Sequence, residues 1–124
     1  MTTAGSRASM ARRLQLSSRA EGNVAVLTAV GEVDWTTAES LADAAETLLI
    51  TQGAVVLDLA GVSHLNAEGL GALLRVRRHA ERVRGRLVLA MVPAAVVRRL
   101  KRTGLGSAFM TATSTEAGIV ALSS

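Results

Sequence analysis

The side chains able to do chemistry lie mostly in the middle of the chain. His64 stands between Asp58 and Glu68, and Asp34 follows the earlier Gly31-Glu32-Val33 stretch. One imidazole and three carboxylates are the material of general acid–base catalysis, in which one group delivers a proton and another removes it. Each also has a plainer use. Asp58 sits at the end of an apolar run and is placed to accept loop N–H bonds. Asp34, with Thr36 and Thr37, has the residue types of a helix N-cap. The second histidine, His79, lies among arginines and reads as a surface residue; two histidines far apart in sequence make a poor zinc site. With no cysteine in the chain, disulfides, thiolate metal sites and cysteine nucleophiles are excluded. There is no Walker loop and no GxGxxG run. The residues therefore predict no enzyme, no cofactor and no metal.

These groups need elements to position them. Leu14 to Ser18 alternates as a weak strand. Asn23 to Val30 is a stronger one, with Val24, Val26, Thr28 and Val30 on one face and Ala25, Leu27 and Ala29 on the other. Glu21-Gly22-Asn23 reads as the turn of a hairpin. Gly31 is expected to break the second strand. A helix then follows to about Ile50, with Ala38, Leu41, Ala42, Ala45, Leu48 and Leu49 at helical spacing and Glu39, Asp43 and Glu46 opposite. Gly53 supplies its left-handed end. Ala54 to Leu59 is the apolar run of a strand covered on both faces, and Ala60 to Leu65 reads as a connection. A second helix is predicted from Ala67 to about Val83, ended by Gly85. A strand follows over Arg86 to Val92, then a third helix beginning at Pro93 and ending at Gly104. Ser107 to Ala112 gives a short strand, and Thr113 with Glu116 a capping box for a last helix to about Leu122. Strands alternating with helices predict an α/β domain with parallel neighbours and helical cover.

A chain of 124 residues suits one domain. The expected division is a flexible basic tail over residues 1–13, which lacks the apolar region of a signal peptide, and a folded domain over 14–122. No apolar run approaches the roughly 20 residues needed to cross a bilayer, and a cytoplasmic protein is expected. Charge is divided unevenly. From Leu14 to Leu74 there is one base, Arg19, against eight acids; from Arg75 onward there are ten bases against Glu81 and Glu116. Such asymmetry marks either an interaction surface or merely the solvated faces of helices. With Trp35 and Phe109 the only aromatics, stacking platforms for single-stranded nucleic acid are missing, and no direct nucleic-acid partner is expected.

Two segments resemble a known family. Gly31-Glu32-Val33-Asp34-Trp35-Thr36-Thr37-Ala38 is similar to the turn leading into the first helix of STAS domains. Val55-Val56-Leu57-Asp58-Leu59 through Asn66-Ala67-Glu68-Gly69-Leu70-Gly71 is similar to their central strand, loop and second helix, where the family carries D-S-S-G-L-G. The likeness covers about Leu14 to Ala121. It implies a single STAS-like domain with a mixed, mostly parallel central sheet of four to five strands flanked by four helices. It also implies the function of bacterial anti-sigma factor antagonists: binding an anti-sigma factor, often of kinase-like ATPase fold, and so controlling sigma factor availability. The partner-contact residues expected are Asp34, His64, Asn66, Ala67, Glu68 and Gly69, together with Trp35, which is either a partner anchor, tryptophan being enriched at binding hot spots, or a packed loop residue. A different reading within the family is a subunit of a membrane transport assembly docking on an ABC-type ATPase, and fold alone does not choose between them. Monomer and weak homodimer both stay open.

The motif departs from the family at its switch. The second serine, which the anti-sigma kinase phosphorylates in regulated members, is replaced by Glu68; the first is Ala67, and the acid before them is Asn66. No hydroxyl remains at either position, so no phosphorylation is expected there. The local physics survives: Asn66 can cap the helix through the N–H of Glu68 or Gly69, and an anion in the first turn meets the positive end of the helix dipole. Glu68 is then a helix stabiliser, a partial mimic of phosphoserine, or a contact to which the partner has co-adapted.

Overall fold

The computed structural model describes residues 13–123, so most of the expected N-terminal tail lies outside the described residues. The elements are β1 (Gln15–Glu21), β2 (Val24–Val33), α1 (Ala38–Gln52), β3 (Ala54–Leu65), α2 (Ala67–Arg82), β4 (Arg86–Ala90), α3 (Ala94–Arg102), β5 (Met110–Ala112) and α4 (Thr115–Ser123). The five strands form one sheet in sequence order. β1 pairs antiparallel with β2, and the β2–β3, β3–β4 and β4–β5 pairs are parallel. This is the mixed, mostly parallel α/β sheet with four helices that the alternation predicts.

Strand alternation divides the core in two. Ala25, Leu27 and Ala29 of β2, Val55, Leu57 and Leu59 of β3 and Leu89 of β4 bury one face under Leu41, Ala45 and Leu49 of α1, Leu70, Leu73 and Val76 of α2 and Val96 and Leu100 of α3. Val24, Val26, Val56, Val88 and Ala90 form the other face, covered by Leu122 and Ile119 of α4. Fully burying one such leucine stabilises the fold by about 1.5–3 kcal/mol. On the three-helix side, α1 and α2 are also joined at the surface. Arg75 donates to Asp43 at 2.6 Å and to Glu46 at 2.8 Å, and these two carboxylates hold the guanidinium pKa above its ordinary value, Glu46 more than Asp43.

Several boundaries differ from the sequence reading, each for a local reason. β2 does not stop at Gly31 but runs to Val33. Gly31 sits at φ 121°, where a Cβ would run into the Arg13 carbonyl, so it bends the strand instead of ending it. The expected connection Ala60–Leu65 is strand as well: after register shifts, Gly61, Val62, His64 and Leu65 pair with Val30, Gly31, Glu32 and Val33. β4 ends at Ala90 and β5 shrinks to Met110–Ala112. At the end of α2 the left-handed residue is Arg84, φ 55°, one position before the expected Gly85. Gly85 N–H bonds Ala80 O at 2.8 Å and Arg84 N–H bonds Glu81 O at 3.3 Å, which is a Schellman end with arginine in glycine's place. Gly53 and Gly104 close α1 and α3 as expected, at φ 83° and 77°. The last helix is capped by Ser114, whose Oγ accepts the Ala117 N–H at 3.0 Å, and not by Thr113.

Candidate partner-binding surface

The extra length of β2 and β3 carries both motif segments to one end of the sheet. β2 delivers the chain at Val33 and β3 at Leu65, side by side in register. Asn66 N–H then bonds Val33 O at 3.2 Å, tying the start of α2 to the end of β2. α2 begins at Ala67 with Asn66 as N-cap, its Oδ1 accepting the Gly69 N–H at 3.1 Å. Gly69 is buried against β2: a Cβ there would lie 2.8 Å from Leu65 Cγ and 2.9 Å from Val33 O. The glycine of the motif is thus the residue that lets the helix rest on the strand end, whereas a Cβ on Gly71 would meet nothing within 4 Å.

Asp34 builds the turn between β2 and α1. Its Oδ1 accepts the Thr36 N–H at 2.9 Å and the Thr36 hydroxyl at 2.6 Å. Its main-chain oxygen accepts the N–H groups of Thr37 and Ala38. The bonds from Thr36, its hydroxyl first, hold the Asp34 carboxyl below the ordinary carboxylate range, against an opposing desolvation and with smaller help from Thr37. Thr37 holds the N-cap position of α1 without a side-chain cap bond. Its buried hydroxyl instead donates to Glu32 O at 2.8 Å and accepts the Asp34 N–H at 3.0 Å. The cap residues expected from sequence therefore lock the turn and not the helix end. Trp35, at the tip, is 77% exposed.

Around this frame His64, Ala67 and Glu68 are exposed and Asn66 and Asp34 half-buried. The carried-over residues therefore occupy one end of the fold, with Gly69 beneath them as packing. The acid–base grouping is not assembled. Asp58 turns to the α4 side, where its Oδ2 accepts from the Thr115 hydroxyl at 3.3 Å while Oδ1 takes the Ala60 N–H at 3.0 Å. No hydrogen bond among the described residues joins His64 to Asp34, Asp58 or Glu68. No group of three or more histidine and carboxylate side chains converges on a metal position among the described residues. His79, expected at the surface, is half-buried; its Nε2 is enclosed without a partner and its Nδ1 lies 3.4 Å from Arg82. No helix among the described residues is long and apolar enough to cross a membrane.

Sequence reasoning missed a pocket of about 270 Å³ on the far side of His64. Ser63 and His64 of β3 line it together with Pro93, Arg98, Arg99 and Arg102 at α3. The excess of bases in the second half of the chain was the available signal, but it did not say which of ten bases converge.

A model of the STAS domain matches residues 15–118. The chain belongs to the STAS domain family. Among solved structures, an anti-sigma factor antagonist from Mycobacterium paratuberculosis superposes with a TM-score of 0.77 at 23% identity, covering 91% of this chain and 97% of that one. The Bacillus cell fate determinant SpoIIAA in its phosphorylated form gives a TM-score of 0.61 at 28% identity, over 84% of this chain and 95% of that one. The murine Solute Carrier 26 family member A9 anion transporter contains the same fold: TM-score 0.75 at 12% identity, covering 98% of this chain but 24% of the transporter. No curated protein sequence gives a significant match.

Proposed function

We propose that this chain is a protein-binding regulatory module of the anti-sigma factor antagonist kind. It acts in the cytoplasm, without catalysing a reaction, by binding an anti-sigma factor of kinase-like ATPase fold and so controlling how much sigma factor is free. The observation that carries the reading is the joining of the Asp34-Trp35 turn to the start of α2 through the Asn66–Val33 bond. It places an exposed tryptophan and an exposed carboxylate on one rigid end of the fold. Tryptophan is enriched among residues that dominate binding energy.

Control by phosphorylation at the start of α2 is absent in this reading, because Ala67 and Glu68 carry no hydroxyl. Glu68 makes no side-chain bond among the described residues. Its share in helix stability is then the dipole effect alone, about 0.3–1 kcal/mol, which leaves the carboxylate available to a partner. A single carboxylate has less charge and fewer oxygens than a phosphate, so we read Glu68 as a contact the partner accepts and not as a permanent off-state. A docking role in a membrane transport assembly has likeness of fold as its support.

The test is affinity capture with the wild-type chain and with Glu68→Ser as baits, followed by calorimetric titration of the captured anti-sigma factor. Weaker binding by Glu68→Ser is the expected result. Tighter binding would make Glu68 a phosphoserine mimic, and failure of both baits to bind any anti-sigma factor would overturn the reading.

A further inference from the structure

The pocket beside His64 gathers three arginines that enter no ion pair among the described residues. Arg19 pairs with Glu21, Arg75 with Asp43 and Glu46, and Arg77 with Glu81; Arg78, Arg82 and Arg84 enter no ion pair among the described residues, but none of them lines this pocket. Arg98, Arg99 and Arg102 enter no ion pair among the described residues, yet all three line one pocket with Ser63 and His64. Arg98 and Arg102 are four residues apart on α3, a like-charge spacing that destabilises an isolated helix. The helix dipole compensates for cations in the last turn. It does not explain why that turn faces a concave site bordered by a hydroxyl and an imidazole.

Of the carboxylates free of ion pairs among the described residues, Asp58 and Glu116 belong to the α4 side, and four others lie on β2, the turn after it and the starts of α1 and α2. Glu32, Asp34, Glu39 and Glu68 enter none among the described residues. Glu32 is on β2, in register with His64 on β3; α3 follows β4, which pairs with the opposite edge of β3. One end of the sheet is therefore acidic over β2 and the start of α2, and basic over α3, with His64 at the boundary.

We propose that the α3 pocket is a second contact point for the same protein partner and receives an acidic segment of that partner, with two or more Asp or Glu side chains. This rests on the partner-binding reading above and extends its surface from β2 and α2 across to α3. The size of the site favours this occupant. About 270 Å³ falls below the roughly 300–1,000 Å³ of sites that enclose drug-sized ligands, and its apolar lining, including Val96 and Pro93, suits the methylenes of acidic side chains. An extended polyanion is disfavoured, because nucleic acid binds through a continuous run of cations and here the cations give way to the acidic β2 strand across His64.

The test titrates the full chain, labelled for nuclear magnetic resonance, with a capped oligoglutamate peptide at low salt. Shift changes are expected over Ser63–Leu65 and Pro93–Arg102. The triple variant Arg98→Ala/Arg99→Ala/Arg102→Ala should lose about tenfold in affinity, the sum of three pairs at roughly 0.5 kcal/mol each. Lysines at the same three positions should retain most of the binding, and Arg78→Ala/Arg84→Ala should stay near wild type. Equal binding by the alanine triple, or shift changes spread evenly over the α2 arginines, would overturn the proposal. Inorganic phosphate or duplex DNA binding the pocket more tightly than the peptide at physiological salt would also overturn it. Titration of the captured anti-sigma factor separates the two readings. A complex weakened by Glu68→Ser but untouched by the alanine triple refutes the pocket alone, whereas absence of any complex refutes the partner reading and leaves the peptide result to judge the pocket.

Discussion

Replacing each of two glycines in α2 by alanine isolates the contact that holds the candidate surface together. Alanine is favoured over glycine inside a helix by about 0.8–1.0 kcal/mol. At Gly71 a Cβ meets nothing within 4 Å, so Gly71→Ala should keep that whole gain. At Gly69 the same Cβ would lie 2.8 Å from Leu65 Cγ, 2.9 Å from Val33 O and 3.0 Å from Val33 Cγ1. One of these atoms is backbone, and it already accepts the Asn66 N–H at 3.2 Å, so it cannot move without loosening that bond. Overpacking of this kind costs about 1–3 kcal/mol. The net effect of Gly69→Ala is then a loss of about 0–2 kcal/mol, and the two variants should differ by about 1–3 kcal/mol. Urea unfolding followed by circular dichroism reads this as midpoints that move in opposite directions at constant slope. Equal upward shifts for both variants would refute the claim that α2 rests on the end of β2.

The remaining predictions test its neighbours. Asn66→Ala removes the bond to the Gly69 N–H and should cost about 0.5–2 kcal/mol of stability, seen as a lower urea midpoint. Arg84→Gly relieves a left-handed residue and should stabilise by about 0.5–1 kcal/mol; a lower melting temperature would contradict the Schellman end described for α2. The Asp34 carboxyl should titrate below the ordinary carboxylate range by carbon-detected resonance, and Thr36→Val should move it back up. Because the folded pKa is the lower one, the stability linked to Asp34 is present above its unfolded value of about 4 and is lost as pH falls through the depressed folded value. Trp35 fluorescence should be that of a solvated indole, readily quenched by acrylamide, and should shift to shorter wavelength on partner binding.

How far the sequence could be read depended on whether a feature was local. The Asn66 cap, the left-handed Gly53, the stop at Gly104 and the two-faced alternation of Val24 to Ala29 are set by neighbours along the chain, and the structure shows them as expected. Gly31 and Ala60–Leu65 misled because strand pairing across β2 and β3 outweighed local break signals. Arg84 occupies a position that local propensity assigns to glycine. The Asp34 turn was legible in its residue types, but not in the way Thr37 turns back to Glu32 O. The cationic pocket was not legible: Ser63 and His64 are some thirty positions from Pro93, and only the adjacency of β3 and β4 brings them together.

The pairing of β2 with β3 as far as Val33 and Leu65 has a consequence for kinetics. A surface whose backbone is already hydrogen-bonded into a sheet has little freedom left to lose on association, and such ordering otherwise subtracts from affinity. A docked partner would meet Asp34 and Asn66 where they already stand. Substitutions on this end of the fold should then act chiefly by shortening the lifetime of the complex, with little change in the rate of its formation.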